Sequence, residues 1–254
     1  APYRFLETMA VGKTGVILGG VQPGYTSMPT VIPDGLTWEK ATTLDVGADI
    51  VLLNNRLSIS YDWYNRETTD MFTAGPPLPN VFGATVPYGN YADLETKGWE
   101  LSLSWRDQFN VNDKPFRYSI SGSLWDSRAH ITKFNNPTKI ISSHYVGKEL
   151  GEIWGFETLG LFTSEEDVAG HADQSYLRNS NSNKWLPGDL KFADLNDDDV
   201  IDQGSNTVED PGDRRIIGNS SPRYQFGFTL AANWNGFGVS AFFQGIGKRD
   251  WYFA

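Results

Sequence analysis

The sequence predicts an all-β chain whose antiparallel strands belong in a membrane, as a segment of a transmembrane β-barrel. Three observations predict it. Apolar side chains recur at every second position in six segments, the pattern of strands. The connections between segments alternate between short turns and long polar stretches, as in an up-and-down barrel. Aromatic residues gather at segment ends, in the manner of interfacial girdles.

The first segment runs from Leu44 to Leu53, with Leu44, Val46, Ala48, Ile50 and Leu52 on one face. Arg56 to Trp63 follows, with Leu57, Ile59, Tyr61 and Trp63. The third is Trp99 to Trp105, with Leu101 and Leu103 between the tryptophans. The fourth, Phe116 to Trp125, sets Phe116, Tyr118, Ile120, Gly122 and Leu124 on one face. The last two segments form a hairpin: Tyr224, Phe226, Phe228, Leu230, Ala232 and Trp234 alternate, and the pattern resumes at Phe237 after Asn235-Gly236. Asn-Gly is a strong signal for a two-residue hairpin turn, because both residues tolerate positive φ.

The opposite face reads Asp45, Asp49, Arg56, Ser58, Ser60, Asp62, Glu100, Ser102, Ser104, Arg106, Arg117, Ser119, Ser121 and Ser123. Serines fill the middles and charges sit near the ends, which suits the wet inner wall of a barrel. Asn54-Asn55 joins the first pair, residues 107–115 the second and Asn235-Gly236 the third. Long polar connections fall at about 67–95 and 127–221. For the parity to hold, the second of these contains an even number of further crossings or none. Ser164 before Glu165-Glu166-Asp167 reads as an N-cap with acids in the first turn of a short helix.

Several function classes are excluded or weakened by composition. The net charge of -10 disfavours nucleic acid as a partner. With no cysteine there is neither a disulfide framework nor a thiolate metal site. No run approaches the ~20 apolar residues of a membrane helix, which leaves barrel strands open. Ala1-Pro2-Tyr3-Arg4 is not a signal peptide, so an exported chain would be mature or a fragment. The alternative is a soluble, calcium-stabilised β-sandwich that binds carbohydrate. Its strands also alternate, but a second sheet would cover the apolar faces.

"DLNDDDVID", Asp194 to Asp202, matches the first nine positions of an EF-hand-type calcium loop. Its oxygens would come from Asp194, Asn196, Asp198, the Val200 carbonyl and Asp202. Asp199 stands at the sixth position, where glycine usually makes the turn, and Ser205 at the twelfth, where glutamate usually closes the site. Asp213 or Asp210 would have to supply the closing carboxylate. Such a calcium ion would be structural. Enzyme chemistry finds no support, and the chain is read as a non-enzyme. Gly12-Lys13-Thr14 lacks the first P-loop glycine, no G-x-S-x-G is present, and His130, His144 and His171 lack metal-ligand spacing. Trp154, Trp185 and Tyr176 would either stack on sugar rings or pack within their loop.

The segments "LTWEKATTLDVGAD" (37–49), "NNRLSISYDWYNRETTDMF" (54–72), "TKGWELSLSW" (96–105), "GEIWGFETLGLFTSEED" (151–167), "GDLKFADLNDDDVID" (188–202) and the run from Asp213 to Asp250 resemble SusC-like (SusC/RagA) TonB-dependent outer-membrane transporters. The resemblance implies part of a 22-stranded barrel in the bacterial outer membrane. It implies import of oligosaccharides or peptides, energy from TonB acting on parts outside this chain, and a SusD-like surface lipoprotein as partner. It also places the chain late in the barrel, as an internal piece that would not be stable alone. The organisation expected is an extracellular loop over 1–36, strands with loops over 37–134, a long extracellular loop with the calcium-type motif over 135–221, and a strand hairpin over 222–250. Asp197 and Asp199 stand where the resemblance leads one to expect glycines, which lowers the expected calcium affinity.

Overall fold

The computed structural model describes residues 9–27, 29, 31–75, 79, 81, 86–178 and 184–251. Twelve strands are present among them. A small hairpin, β1 (Val11–Lys13) and β2 (Gly24–Thr26), comes first. The main sheet has six strands: β3 (Lys40–Leu52), β4 (Leu57–Ala74), β5 (Tyr88–Val111), β6 (Lys114–Lys133), β11 (Arg223–Trp234) and β12 (Phe237–Lys248). Every neighbouring pair is antiparallel, and spatial order follows chain order without a crossover. The sheet is open, with β3 and β12 at its edges.

All three short turns lie at one end of the sheet. Asn112 and Asp113 have φ of 49° and 57°, and Asn235 and Gly236 have 49° and 85°. These are the positive values that let a two-residue turn match the twist of its strands. The Asn112-Asp113 turn corrects the expected 107–115 connection. Asp107 and Gln108 read as a polar loop, but they continue the ladder opposite Tyr118 and Arg117. Polarity there marks a water-facing rim, where strand residues need not be apolar.

The long connections emerge at the other end, and they are shorter than expected. β4 and β5 extend to Ala74 and back from Tyr88. β6 pairs directly with β11, from Phe116 opposite Trp234 to Trp125 opposite Gln225. The connection between them therefore makes no crossing among the described residues. Instead it folds into a separate unit. β7 (Glu152–Phe156) pairs with β10 (Arg214–Asn219), and β8 (Thr158–Leu161) with β9 (Leu190–Phe192). Ile153-Trp154-Gly155-Phe156 is β7 of this unit. The expected helix is present as α1 (Glu165–Ala169), with the Ser164 hydroxyl accepting from Asp167 N–H at 3.1 Å.

The apolar core of the described residues lies in and under this unit. Ile131, Ile141, Tyr145, Phe162, Ala193 and Ile201 are buried. The main sheet has no comparable core. One of its cross-strand rows reads Ile50, Ile59, Leu103, Gly122, Phe228, Phe243. Ile50 is 46% exposed, Leu103 45% and Phe243 49%. Ile59, Leu101 and Phe228 are likewise unburied. A soluble sandwich would cover this face with a second sheet; among the described residues none does.

The apolar face has defined limits. Phe109, Phe116 and Tyr118 cluster at its turn end, with ring centroids 5.0 to 6.3 Å apart. Opposed Trp63 and Trp99 mark the other limit. Beyond them the same face turns polar: Asn65, Lys97 and Arg128 in one row, Glu67, Glu95 and His130 in the next. From Trp99 to Phe109 is a rise of about 34 Å at ~3.4 Å per residue. Tilted by ~45°, it covers about 24 Å, the height of a barrel's apolar band. The first hairpin lacks its own aromatic rim because its turn stops early. Leu52 and Leu57 end level with Trp105 of β5, which supplies the aromatic there. Tyr224, expected in the upper girdle, has φ of 53° and drops out of the ladder, since the pairing passes from Arg223–Lys248 to Gln225–Ile246.

Candidate functional site

The polar face forms a graded wall. Val51, Ser58, Ser104, Ser121, Thr229 and Phe242 make one row. The next is Asp49, Ser60, Ser102, Ser123, Gly227 and Gln244, and above it stand Gly47, Asp62, Glu100, Trp125, Gln225 and Ile246. Gly47 is required here: a Cβ at that position would lie 2.1 Å from Asp62 Oδ1, so the Asp62 carboxylate leans across its neighbour. Carboxylates thus gather toward the long-connection end, while Arg106 and Arg117 sit toward the turns. Arg56 departs from this assignment, since its guanidinium pairs at 3.2 Å with Asp107 at the rim. The serines are shorter than Asp62, Glu100 and Trp125 above them, and a recess of about 670 Å³ follows the two serine rows.

The loop unit is clamped to the top of this wall. Segment 147–150 continues the ladder of β6 beyond β11, with Ile131 N–H donating to Lys148 O and Leu150 N–H to Ala129 O. Arg223 forks onto both carboxylate oxygens of Asp126, its Nε lying 2.5 Å from Oδ1. Glu149 stands 3.9 Å from the same guanidinium and 3.8 Å from His130. Both members of the Asp126–Arg223 pair are nearly buried. A two-point pair with this geometry fixes orientation as well as distance.

Inside the unit, Trp154 is a packing residue. Its indole N–H donates to Glu152 Oε1 at 2.9 Å and to the Tyr145 hydroxyl at 3.2 Å. Burial and the adjoining Glu152 push the Tyr145 hydroxyl above the ordinary tyrosine range. Burial lowers Lys148, whose ammonium donates to Ile141 O and Ser143 O. Trp185 is half-buried under the Arg178 guanidinium, 4.4 Å from its ring centroid, whereas Tyr176 is exposed. His171 bonds Phe192 O, and His144 packs edge-on against Phe134. Lys191 holds Asp167 down to about 2, helped by the Thr163 N–H.

The aspartate loop curls around its first residue. Asp194 accepts from Asp197 N–H at 2.8 Å and Asp199 N–H at 2.9 Å. Burial opposes its ionisation, but these amides outweigh that and its pKa is lowered. Asp197 and Asp199 have φ of 60° and 63°, so aspartates adopt the left-handed turns that glycine would make freely. Asn196 Oδ1 accepts from Asp198 N–H, and Asp198 Oδ1 from Val200 N–H. Ile201, the eighth position, is wholly buried, and Asp173 pairs alongside it. The sequence reading missed both anchors, although an apolar residue after the seventh ligand was visible.

The backbone curls around Asp194 through left-handed turns at Asp197 and Asp199, the kind of turn that glycine makes in an EF-hand-type loop. The side chains match such a loop less completely. Asn196 donates to Asp198 Oδ2 at 2.9 Å, and Asp202 Oδ1 accepts from Gly204 N–H at 2.7 Å. Among the described residues no three acidic or histidine side chains converge as a metal cage. Asp213 has a different part from the expected closing ligand. It is fully buried, and its oxygens accept from Leu195 N–H at 2.7 Å and Asp202 N–H at 2.9 Å. It therefore straps the two ends of the loop together. Asp210 is likewise engaged, by Ser205 N–H and Oγ–H.

Comparison with known proteins gives the wall its context. The family model for the TonB dependent receptor-like β-barrel matches residues 13–254. TonB-dependent receptor P3 of Formosa agariphila is 27% identical over 257 residues, 96% of this chain and 24% of that protein. TonB-dependent receptor SusC of Bacteroides thetaiotaomicron is 26% identical over 219 residues, 84% of this chain and 21% of that protein. In fold, the chain is similar to the RagAB peptide importer in its open-open state, with a TM-score of 0.66 and 20% identity over 97% of this chain and 24% of that one. A second RagAB peptide transporter structure gives 0.60 at 22% identity, over 94% of this chain and 24% of that one. The chain spans about a quarter of the length of these relatives. Its sequential antiparallel sheet, apolar on one face and serine-lined on the other, is consistent with part of such a barrel, and the chain belongs to the TonB-dependent receptor-like β-barrel family.

Proposed function

We propose that this chain is part of the wall of a bacterial outer-membrane importer that brings oligosaccharides or peptides across by a TonB-driven cycle. The supporting observation is the two-faced sheet. A band about 24 Å tall exposes leucine, isoleucine and aromatic residues and ends in charged rows, while serines line the reverse. The long connections and the clamped loop unit stand on the cell's outer side, where a SusD-like lipoprotein would cover them. TonB would engage parts outside this chain. Transport makes and breaks no bond in the cargo, so the wall's work is to shape and wet a passage.

Cell fractionation tests this reading. The native protein should sediment with outer membranes and require detergent for release. Recovery as a detergent-free monomer contradicts the proposal.

We also propose that loop 194–202 takes calcium weakly and structurally, through Asp194, Asn196, Asp198, the Val200 carbonyl and Asp202, with Asp213 holding the loop from behind. The left-handed curl around Asp194 supports it. Protease cutting of the loop in calcium against chelator tests it, and equal cutting rates at millimolar calcium contradict it.

A further inference from the structure

The wall does not end where the loop unit begins. β6 runs on to Lys133, but its pairing with β11 stops at Trp125. Its upper edge would be left with unpaired amides and carbonyls. Segment 147–150 fills that edge: Leu150 N–H donates to Ala129 O and Gly147 N–H to Ile131 O, both at 2.8 Å. The chain therefore enters the unit as a further strand of the wall.

Its return is tied to a different strand. Asn219, at the end of β10, donates its N–H to Asp250 Oδ2 at 2.7 Å, and Asp250 N–H donates back to Asn219 O at 3.0 Å. Arg249 Nε donates to Ser220 O at 2.9 Å. Arg249 and Asp250 follow directly on β12. The two crossings are also tied to each other, with Ser220 N–H donating to Gly151 O and the Ser221 hydroxyl to Leu150 O, both at 2.8 Å. A Cβ on Gly151 would lie 2.3 Å from Ser221 Oγ, and one on Gly218 2.8 Å from Asp250 Cβ. These glycines mark close approach of the two crossings and of the strand end beside them.

A hinge needs a few residues free to change φ and ψ. At both crossings the backbone groups are committed, on one side to β6 and on the other to the end of β12, and the Asp126–Arg223 fork joins β6 to β11 between them. We propose that the loop unit is a fixed collar of the wall and not a lid. It keeps its place relative to β6, β11 and β12, and any opening of the outer mouth is made by other elements. Asp250 and Arg223 are the residues that hold its return crossing. The inference does not depend on which cargo passes or on calcium.

Paired nitroxides read by pulsed dipolar spectroscopy, in the native protein in lipid, test it. Labels at 49 and 244, which share one row of the wall, report its own rigidity. Labels at 49 and 209 report the distance from wall to unit. The second distribution should have one maximum and be as narrow as the first, with and without calcium. Amides 147 and 150 should exchange with deuterium as slowly as those of β6 below them. Asp250→Ala combined with Arg223→Ala should broaden the wall-to-unit distribution and cut protection at 147–150 at least about fivefold, while an unchanged 49–244 distance shows that the wall is folded. A broad or two-peaked wall-to-unit distribution in the native protein overturns the inference, whether or not the double variant folds. So does a native-like distribution in the folded double variant. Either result leaves the import reading standing.

Discussion

Replacing Leu103 by arginine tests the outward face where the account is most exposed. Leu103 lies between Ile59 and Gly122, close to the middle of the span from Trp99 to Phe109. Nearly half of its surface is uncovered by protein. An arginine at the midplane of a barrel's lipid face costs about 2–4 kcal/mol. At ~1.4 kcal/mol per factor of ten, the ratio of folded to unfolded protein falls roughly 25- to 700-fold. Ser102→Arg, one residue away, points into the recess and is expected to cost less than ~1 kcal/mol. Denaturant unfolding of the native protein in lipid vesicles, followed by tryptophan fluorescence, measures both. Equal losses, or a larger loss for Ser102→Arg, would refute the assignment of faces.

Other consequences follow from single contacts. Asp213→Ala removes the acceptor of two backbone amides in a fully buried site; at ~1–3 kcal/mol per orphaned group, limited proteolysis should cut the 194–213 segment far faster than in the native protein. Ser164→Ala removes the cap of α1 and should lower local protection in hydrogen exchange by about 1 kcal/mol. Gly236→Val puts a branched side chain at φ of 85° and should destabilise the β11–β12 hairpin by more than ~1 kcal/mol, seen as a lower midpoint in the same vesicle assay. The Asp167–Lys191 contact has a folded carboxyl pKa of about 2 against 3.8 unperturbed. Its stabilisation is therefore complete above about 3.8 and lost as pH falls through about 2. Asp167→Asn should remove that acid dependence from hydrogen exchange around α1.

Much of the wall was legible because a strand's period of two leaves one unambiguous record when its faces meet different solvents. Ile59, Leu103 and Phe228 alternate with Ser60, Ser102 and Thr229, and no helix would pair them so. Strand ends were less legible. Once β4, β5 and β6 rise past Trp63 and Trp99, both faces turn polar and the contrast vanishes, so Glu67 to Ala74 and Tyr88 to Glu95 read as loop. The Asn112-Asp113 turn was hidden by the polar rim around Asp107. The aspartate loop's ligand spacing was visible in sequence. The role of Asp213 was not, because only the folded chain brings it behind Leu195 and Asp202. Trp125 continues Ser119, Ser121 and Ser123 at the period of two, so its place on the serine face was legible; its neighbours Gln225 and Glu100 were not, because they depend on the register.

The most direct measurement is a nitroxide scan of positions 99–106 in the native protein, reconstituted in lipid, with oxygen and a water-soluble nickel chelate as relaxing agents. The chain carries no cysteine, so each label site in it is unique. Positions 99, 101, 103 and 105 should relax with oxygen, and positions 100, 102, 104 and 106 with nickel. Nickel accessibility at 101 and 103, or no alternation at all, would contradict a wall with lipid on one side and water on the other.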